Sequence, residues 1–341
     1  WSMVNILPAV VWKVGKVYLP GKPSGCSIGK RPMNLYLKIM KDFGFEITEN
    51  NGGFYLEKGN AGISEITLPF PSFTGTSIAI YLAMLSNNEI NINNVSIEPE
   101  IIYLISVIKN LGYKIIFDKI ARVIKFKGKT ENNGVLSVRV PFDRNVLVTR
   151  MVSDLVSYGK FEWLNEEQHY LEELLLFLKK CGFEIYSDDY RIKIVALDKV
   201  VDQERVVLNC GHFPKICSDW QPLLVILLCH YLIPFELSDD VFENRFQIFS
   251  QLVYLNNNIV LNKKSSNKIV IDYCDTTEKI TTSSNLEFKL LNIRDAAAIL
   301  IASHQSKLNI EFSNLLQLFR GYETLENVLG EKVELYSYEK Q

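Results

Sequence analysis

Apolar residues recur along this chain in two alternating rhythms. In Leu37–Ile47 (LKIMKDFGFEI), Leu104–Ile115 (LISVIKNLGYKI) and Leu174–Ile185 (LLLFLKKCGFEI) they fall at helical spacing, and a glycine followed by Phe or Tyr stops each stretch. A glycine just past the last helical turn takes the left-handed conformation that other residues resist. Behind the stops, side chains alternate with a period of two, as in Val123-Ile124-Lys125-Phe126, which predicts strands. A second set of helices is predicted at Ser2–Lys13, Thr76–Leu85, Val146–Tyr158, Trp220–Tyr231 and Arg294–His304. Each leads into a short strand, such as Glu89–Ile92 or Lys307–Ile310. Thr76–Leu85 and Leu223–Leu228 are almost wholly apolar, so these helices are expected to be buried on all sides. The pattern predicts an α/β fold with one set of helices inside and the sheets and remaining helices outside.

The stopping glycines Gly44, Gly112 and Gly182 stand about 70 residues apart, which marks an internal repeat. Weaker copies follow at Phe246–Leu261, where Asn256-Asn257-Asn258 replaces the glycine, and at Tyr322–Leu335, with Gly330. Each unit reads helix, strand, helix, strand, strand, with a further strand ahead of the first helix. Five units are visible. The first lacks its leading strand and opens at Trp1, so N-terminal sequence is expected to be missing. The polar turn Asn132-Asn133-Gly134 is the expected boundary between two domains, residues 1–133 and 134–341, with Leu136–Val140 and Pro141–Arg144 opening the next unit.

Length changes little in this picture: 341 residues suit two domains, and 48% hydrophobic with 22% charged residues supports a real core. Charge excludes more. A net charge of -2 offers no basic excess to grip a nucleic-acid backbone, although a local arginine cluster for a small anion remains open. The longest apolar run, Pro222–Leu232, is far short of a membrane span, and the apolar opening lacks a basic leader. Cys26, Cys181, Cys210, Cys217, Cys229 and Cys274 form no CxxC pair, and His169, His212, His230 and His304 have no metal-ligand spacing. Together these point to a reducing, cytoplasmic compartment and structural histidines and argue against a structural zinc site; no metal or cofactor is expected.

One stretch stands apart from the repeat. Leu19–Pro32 (LPGKPSGCSIGKRP) holds three glycines and three prolines, so it is a loop, with Cys26 at its middle and Lys22, Lys30 and Arg31 around it. Nearby positive charge favours the thiolate, so Cys26 is expected to be reactive. The alternative is a surface loop with an incidental cysteine.

The residues around this loop carry a family likeness. Gly25–Pro32 (GCSIGKRP) and Asp240–Phe246 (DVFENRF) resemble segments of UDP-N-acetylglucosamine enolpyruvyl transferases. So do Glu98–Ile101, Ser218–Gln221, Asn292–Ala296 and Arg320–Glu323, in the family's order. The likeness runs from Trp1 to near the C-terminus. It implies a two-domain, inside-out α/β barrel of six repeated βαβαββ units, of which the first is missing here together with a lysine and an arginine. It also implies transfer of the enolpyruvyl group of phosphoenolpyruvate to the 3-hydroxyl of UDP-N-acetylglucosamine, with release of phosphate, in peptidoglycan precursor synthesis. The implied partners are these two small molecules, with no nucleic acid or membrane, and the protein is expected to be a monomer. Without its first repeat the chain is expected to be unstable and inactive.

The resemblance assigns roles residue by residue. Cys26 matches the family's acid that protonates C3 of phosphoenolpyruvate. Asp219 matches the general base beside the acceptor hydroxyl, and Ser218-Asp219 would also serve as a helix cap. Arg31, Arg294 and Arg320 match anion-binding arginines, with Arg320 counted among the catalytic groups; planar, permanently charged donors suit phosphate and carboxylate. Arg245 either binds anion or pairs with Glu243 to hold its turn. Arg31, Pro32, Met33, Asn34, Leu35, Phe70, Pro71, Ser72, Phe73 and Val241 match segments that hold the UDP-sugar. Backbone amides around Pro71–Thr76 would suit a diphosphate, or Ser72, Thr74 and Thr76 simply cap a helix.

Departures from the family pattern bear on specificity. Phe70 stands for a lysine, Tyr36 for a histidine, Asn34 for an aspartate, and Asn292 for an aspartate two residues before Arg294. Lys22-Pro23-Ser24 and Lys215-Ile216-Cys217 are insertions. Two other readings follow: the same chemistry on a different nucleotide or nucleoside, or a non-catalytic relative.

Overall fold

The computed structural model describes residues 2–21, 33–50, 52–60, 62–86, 88–130, 137–164, 168–188, 190–197, 204–242, 245–252, 259–265, 267–273, 286–306 and 310–330. Two compact units emerge. One comprises the described residues up to Val140 with the short stretch His212–Pro214; the other comprises Pro141–Gly211 and the described residues from Lys215 onward. The expected boundary at Asn133/Gly134 falls outside the described residues.

Both glycine-stopped and apolar helices form where the pattern places them. Met33–Asp42, Pro99–Asn110 and Glu172–Lys180 are amphipathic helices, and the glycines behind them, Gly44, Gly112 and Gly182, all have φ between 84° and 90°. Any side chain there would be strained. The second set comprises Ser2–Val14, Phe73–Ser86, Arg144–Tyr158, Gln221–His230 and Ile293–Ser306. In Gln221–His230 every residue from Gln221 to Cys229 is buried. It packs against Arg144–Tyr158 and Ile293–Ser306 at the centre of the second unit's core. Phe73–Ser86 fills the same place in the first unit, between Ser2–Val14 and Met33–Asp42.

Around these helices lie five sheets, all open among the described residues. In the first unit, Lys16–Pro20, Gly53–Glu57 and Glu46–Asn50 form an antiparallel sheet; Glu65–Thr67, Glu89–Asn93, Val123–Lys129 and Tyr113–Asp118 form a mixed one in which the first pair is parallel. The second unit repeats both designs. Lys160–Leu164, Arg191–Val195 and Glu184–Ser187 are antiparallel; Val206–Cys210, Phe235–Asp239, Lys268–Tyr273 and Ile259–Ser265 begin with a parallel pair. A last parallel pair joins Leu286–Lys289 to Ile310–Ser313.

A small device recurs where parallel strands end. Asn94 and Asn314 follow the second strand of their pairs in left-handed conformations, with φ of 55° and 66°. Their Nδ2 groups donate to Leu68 O at 2.9 Å and to Leu290 O at 3.0 Å, the residues that follow the first strand. Asparagine tolerates this conformation better than other non-glycine residues and bonds backbone locally. Each bridge fixes the strand end from which the chain turns into a buried helix.

Several expectations shift. The strand expected at Lys307–Ile310 runs over Ile310–Ser313, and residues 307–309 lie outside the described residues. Where a helix is expected from Phe246, the described residues form a 3-10 turn, Arg245–Ile248, and a short helix, Phe249–Leu252, and residues 253–258 lie outside them. Residues 137–140 join no helix or strand. Asn256–Asn258 and the chain beyond Gly330 lie outside the described residues.

The buried helix should be the most sensitive element. Leu224 is fully buried in it. Leu224→Ala is expected to cost about 2–5 kcal/mol through lost apolar contact and the cavity left behind, read as a fall in the denaturant midpoint at an unchanged slope.

Candidate functional site

Three segments of the second unit converge on one carboxylate. Val206–Cys210 and Phe235–Asp239 run parallel, and the chain leaves each at its carboxyl end, the place where open α/β sheets gather polar groups. The loop after the first strand leads through the 3-10 turn Ser218–Trp220 into helix Gln221–His230. The loop after the second leads to Arg245. The loop after Leu286–Lys289 leads to Arg294, in the first turn of helix Ile293–Ser306.

Asp219 accepts from both arginines. Arg245 Nη2 donates to Asp219 Oδ1, and Arg294 Nε reaches Asp219 Oδ2 at 3.4 Å. Arg245 is 1% exposed and its Nε also donates to Ser218 O at 3.2 Å, so one guanidinium fixes both the carboxylate and the backbone beside it. Its face lies over the Phe242 ring at 5.3 Å, and the Arg294 guanidinium lies over the Tyr322 ring at the same distance. Such contacts suit guanidinium groups taken out of water. The Asp219 side chain keeps 35% of its area open. Burial alone would raise its pKa; Arg245 and Arg294 outweigh burial and hold it below the usual carboxylate range.

The supports are polar and local. Asp239, 2% exposed, accepts from Ser218 Oγ at 2.6 Å and from the backbone N–H groups of Val241 and Phe242 at 2.8 and 3.2 Å. It therefore ties the turn that carries Arg245 to the turn that carries Asp219. Helix Arg144–Tyr158, capped by Asp143, steadies the other side: Asn145 Oδ1 accepts from Trp220 Nε1 at 2.9 Å, and Thr149 Oγ1 bonds Tyr322 OH at 2.7 Å.

Arg294 is aimed by a helix cap. Asn292 Oδ1 accepts from the N–H groups of Arg294 and Asp295 at 3.1 and 3.0 Å, the usual work of a cap residue. Its Nδ2 donates to Asp295 Oδ2 at 2.6 Å, a bond between the two side chains across the first turn. Asp295 is 3% exposed, and its pKa is pushed up to about 6, chiefly by burial, against the opposing pull of Arg245 and Asn292. Buried and without a hydrogen-bond partner among the described residues are Asp295 Oδ1, Arg294 Nη1 and both polar ends of Gln221. These unspent groups belong to the same three loops or adjoin them.

The structure places the other expected residues elsewhere. Val241 is half-buried in the Asp239 turn, and Arg320 is exposed at the end of the 3-10 turn Leu315–Arg320, donating to Gln317 Oε1 at 2.6 Å rather than joining Asp219. In the first unit Met33 and Leu35 are core residues, whereas Asn34 is exposed and lines a shallow surface cavity of about 310 Å³ with Leu37, Lys38, Lys41, Ile47, Glu49 and Phe54. Ser72 caps helix Phe73–Ser86, with Oγ accepting from Gly75 N at 3.1 Å; Thr76 Oγ1 accepts from Ser96 N. Phe70 and Pro71 are half-buried and Phe73 is 37% exposed. Cys26, Arg31, Pro32 and Glu243 lie outside the described residues; Arg245 pairs with Asp219.

Among the described residues no group of three or more His, Cys, Asp or Glu is placed to hold a metal ion, and no helix is long and apolar enough to cross a membrane. Burial pushes the Cys181 and Cys229 thiols up to about 12, which leaves them unreactive near neutral pH. Sequence reasoning missed Asp239, Asp295, Thr149 and Tyr322. A signal existed for Asp295, a charge three residues past a cap position. None existed for Thr149 and Tyr322, which meet only through the fold.

A family model described as EPSP synthase (3-phosphoshikimate 1-carboxyvinyltransferase) matches residues 2–206. The UDP-N-acetylglucosamine 1-carboxyvinyltransferase of Kosmotoga olearia is 28% identical over 327 residues, spanning 94% of this chain and 74% of that protein. That of Fervidobacterium nodosum is 27% identical over 322 residues, spanning 94% and 73%. Among solved structures, the enolpyruvyl transferase NikO from Streptomyces tendae superposes with a TM-score of 0.77 at 18% identity, covering 96% of this chain and 75% of that one. The fold is shared.

The raised Asp295 pKa has a sign that can be measured. The folded state holds this proton between about pH 4 and about pH 6 and the unfolded state does not, so stability falls as pH rises through that window. Asp295→Asn is expected to match the parent near pH 4 and to exceed it by about 2–3 kcal/mol above pH 6, measured by urea unfolding across the range.

Proposed function

We propose, given that this chain belongs to the EPSP synthase (3-phosphoshikimate 1-carboxyvinyltransferase) family, that it transfers the enolpyruvyl group of phosphoenolpyruvate to the 3-hydroxyl of UDP-N-acetylglucosamine and releases phosphate. The observation that carries this reading is Asp219, a half-open carboxylate held ionised by two arginines in a chain whose relatives are UDP-N-acetylglucosamine 1-carboxyvinyltransferases. Asp219 accepts the proton of the acceptor hydroxyl, that oxygen bonds to C2 of phosphoenolpyruvate, and Cys26 delivers a proton to C3. The tetrahedral adduct then loses phosphate and a proton.

The arginines have two tasks in this scheme. With no anion bound they neutralise Asp219 and make it a weak base. An anionic substrate that engages them takes up part of their field, which raises the proton affinity of Asp219 as the hydroxyl arrives. Arg294 Nη1, buried and unpartnered among the described residues, is the donor best placed to receive such an anion. In this reading Val241 and Arg320, of the same unit, belong to the substrate's surroundings. The full architecture in this reading is the inside-out α/β barrel pair of repeated βαβαββ units. The enzyme works as a cytoplasmic monomer on two small molecules, in peptidoglycan precursor synthesis.

A second acceptor remains in play because of Tyr36. It stands where the family resemblance places a histidine near the nucleotide, yet it is 6% exposed and packed in the first unit's core. A side chain so placed supports the helix and reads no ligand, so a different nucleotide would fit the same chemistry.

Phosphate release by the full-length protein, given phosphoenolpyruvate and UDP-N-acetylglucosamine, tests the first reading. Asp219→Asn is expected to lower turnover by about 10²–10⁴-fold, the usual span for a general base, and Cys26→Ala to do at least as much. Turnover unaffected by Asp219→Asn would remove the base from the scheme. Turnover only with another nucleotide would select the second acceptor.

A further inference from the structure

Gly321 is a glycine that its own backbone does not require. Its φ is -140°, on the side that every residue adopts, yet an added Cβ would stand 2.6 Å from Ile293 Cγ2 and 3.6 Å from Arg294 Nη1. The demand is spatial: main chain just after the turn Leu315–Arg320 presses against the first turn of the helix that carries Arg294. The next residue, Tyr322, is 2% exposed and lays its ring against the Arg294 guanidinium, with 5.3 Å between ring centre and Cζ. That ring is held in turn. Thr149 Oγ1 donates its one proton to Asn145 O at 2.7 Å, so in its 2.7 Å bond with Tyr322 OH the phenol is the donor. We infer that Gly321, Tyr322 and Thr149 are positioning residues: they form a seat that fixes the plane in which the Arg294 guanidinium meets Asp219 and an incoming anion.

The inference rests on reading Arg294 as an anion-holding arginine, and goes beyond it by naming what aims that arginine. Charge alone would let a long, flexible side chain neutralise Asp219 from several directions. Here three elements bound the guanidinium. Asp219 meets Nε at 3.4 Å, the Tyr322 ring covers one face, and the Gly321 main chain lies beside Nη1. The Gly321–Tyr322 wall is itself closed into a turn, because both N–H groups donate to Leu318 O, at 3.0 and 3.1 Å. Thr149 then ties the wall to helix Arg144–Tyr158, the same helix whose Asn145 holds Trp220 beside Asp219. One helix therefore steadies the neighbours of both members of the ion pair. A guanidinium is a rigid planar fork, so a small tilt misaligns two donors at once on a phosphate or carboxylate. The seat is expected to matter more for holding an anion than for holding the fold.

Nitrogen-15 NMR of the arginine side chains in the full-length protein reads the seat directly. The Arg294 Nε–H signal, assigned by its loss in Arg294→Lys, is expected to move as sulfate is added, a probe whose binding needs no turnover. Thr149→Val keeps the shape and removes the hydroxyl. It is expected to shift or broaden the Arg294 signal, to leave the other arginine signals in place, and to weaken sulfate by about three- to tenfold, the size of one hydrogen bond. Thr149→Ser, which keeps the hydroxyl, is expected to restore both readouts. Tyr322→Phe removes the same bond, so combining it with Thr149→Val is expected to add nothing. Gly321→Ala acts from the other wall and is expected to weaken sulfate at least as much. An Arg294 signal and a sulfate affinity that Thr149→Val and Gly321→Ala both leave unchanged overturn the inference. So does a parent whose Arg294 signal ignores sulfate. Variants in which every arginine signal moves also overturn it, since the three residues would then serve packing alone. A protein that behaves as expected here but releases no phosphate with any acceptor keeps the seat and loses the transferase reading. Phosphate release beside an Arg294 signal indifferent to both variants does the reverse.

Discussion

Asp219 stays charged in the folded protein because two guanidinium groups outweigh the burial that would neutralise it. That balance ties three separate loops together. Arg245 is almost fully buried and would carry a large desolvation cost without its partner. Asp219 would be pushed toward its neutral form without the arginines, and Arg294 without Asp219 would lose its carboxylate hydrogen bond. No member of the set is stable in place by itself, so the loops after three different strands must be held at fixed distances for the set to exist.

The fold supplies those distances with few parts. Each buried helix starts where a chain segment turns in with a polar residue, and the residues that cap or open these helices, Ser72, Asp143, Ser218 and Asn292, are short and oxygen-bearing. A helix start presents backbone N–H groups and a partial positive charge, which suits anions and carboxylates. Asn292 caps the helix that carries Arg294, so the geometry that satisfies the helix start also aims that side chain; Ser218, expected as a cap, instead donates to Asp239 and caps no backbone group among the described residues. Asp239 and Thr149 extend this rigidity outward, one by bonding two loops to each other, the other by fixing the hydroxyl beneath Arg294's aromatic partner.

Much of this was legible in the sequence, for reasons that differ by residue. Gly44, Gly112 and Gly182 reveal their helix ends because only glycine tolerates the backbone they need, and the buried helices reveal themselves because they have no polar face. Asp219, Arg245 and Arg294 were singled out through motif context, and the structure brings these three into contact. Arg320 was singled out in the same way and lies apart from them. Asp239 left no trace in any local pattern, since its partner Ser218 is 21 residues away; Tyr322 lies in a family-like segment, but its bond to Thr149, 173 residues away, is invisible there.

The account's central claim is that the arginine pair sets the proton affinity of Asp219 and yields it when an anion binds. The most direct measurement is a carbon-13 NMR titration of the Asp219 carboxyl, with and without phosphoenolpyruvate. The account predicts a midpoint below the ordinary carboxylate range in the free protein and a clear upward move with the ligand bound. A midpoint in the ordinary range, or one that ligand binding leaves in place, would contradict it.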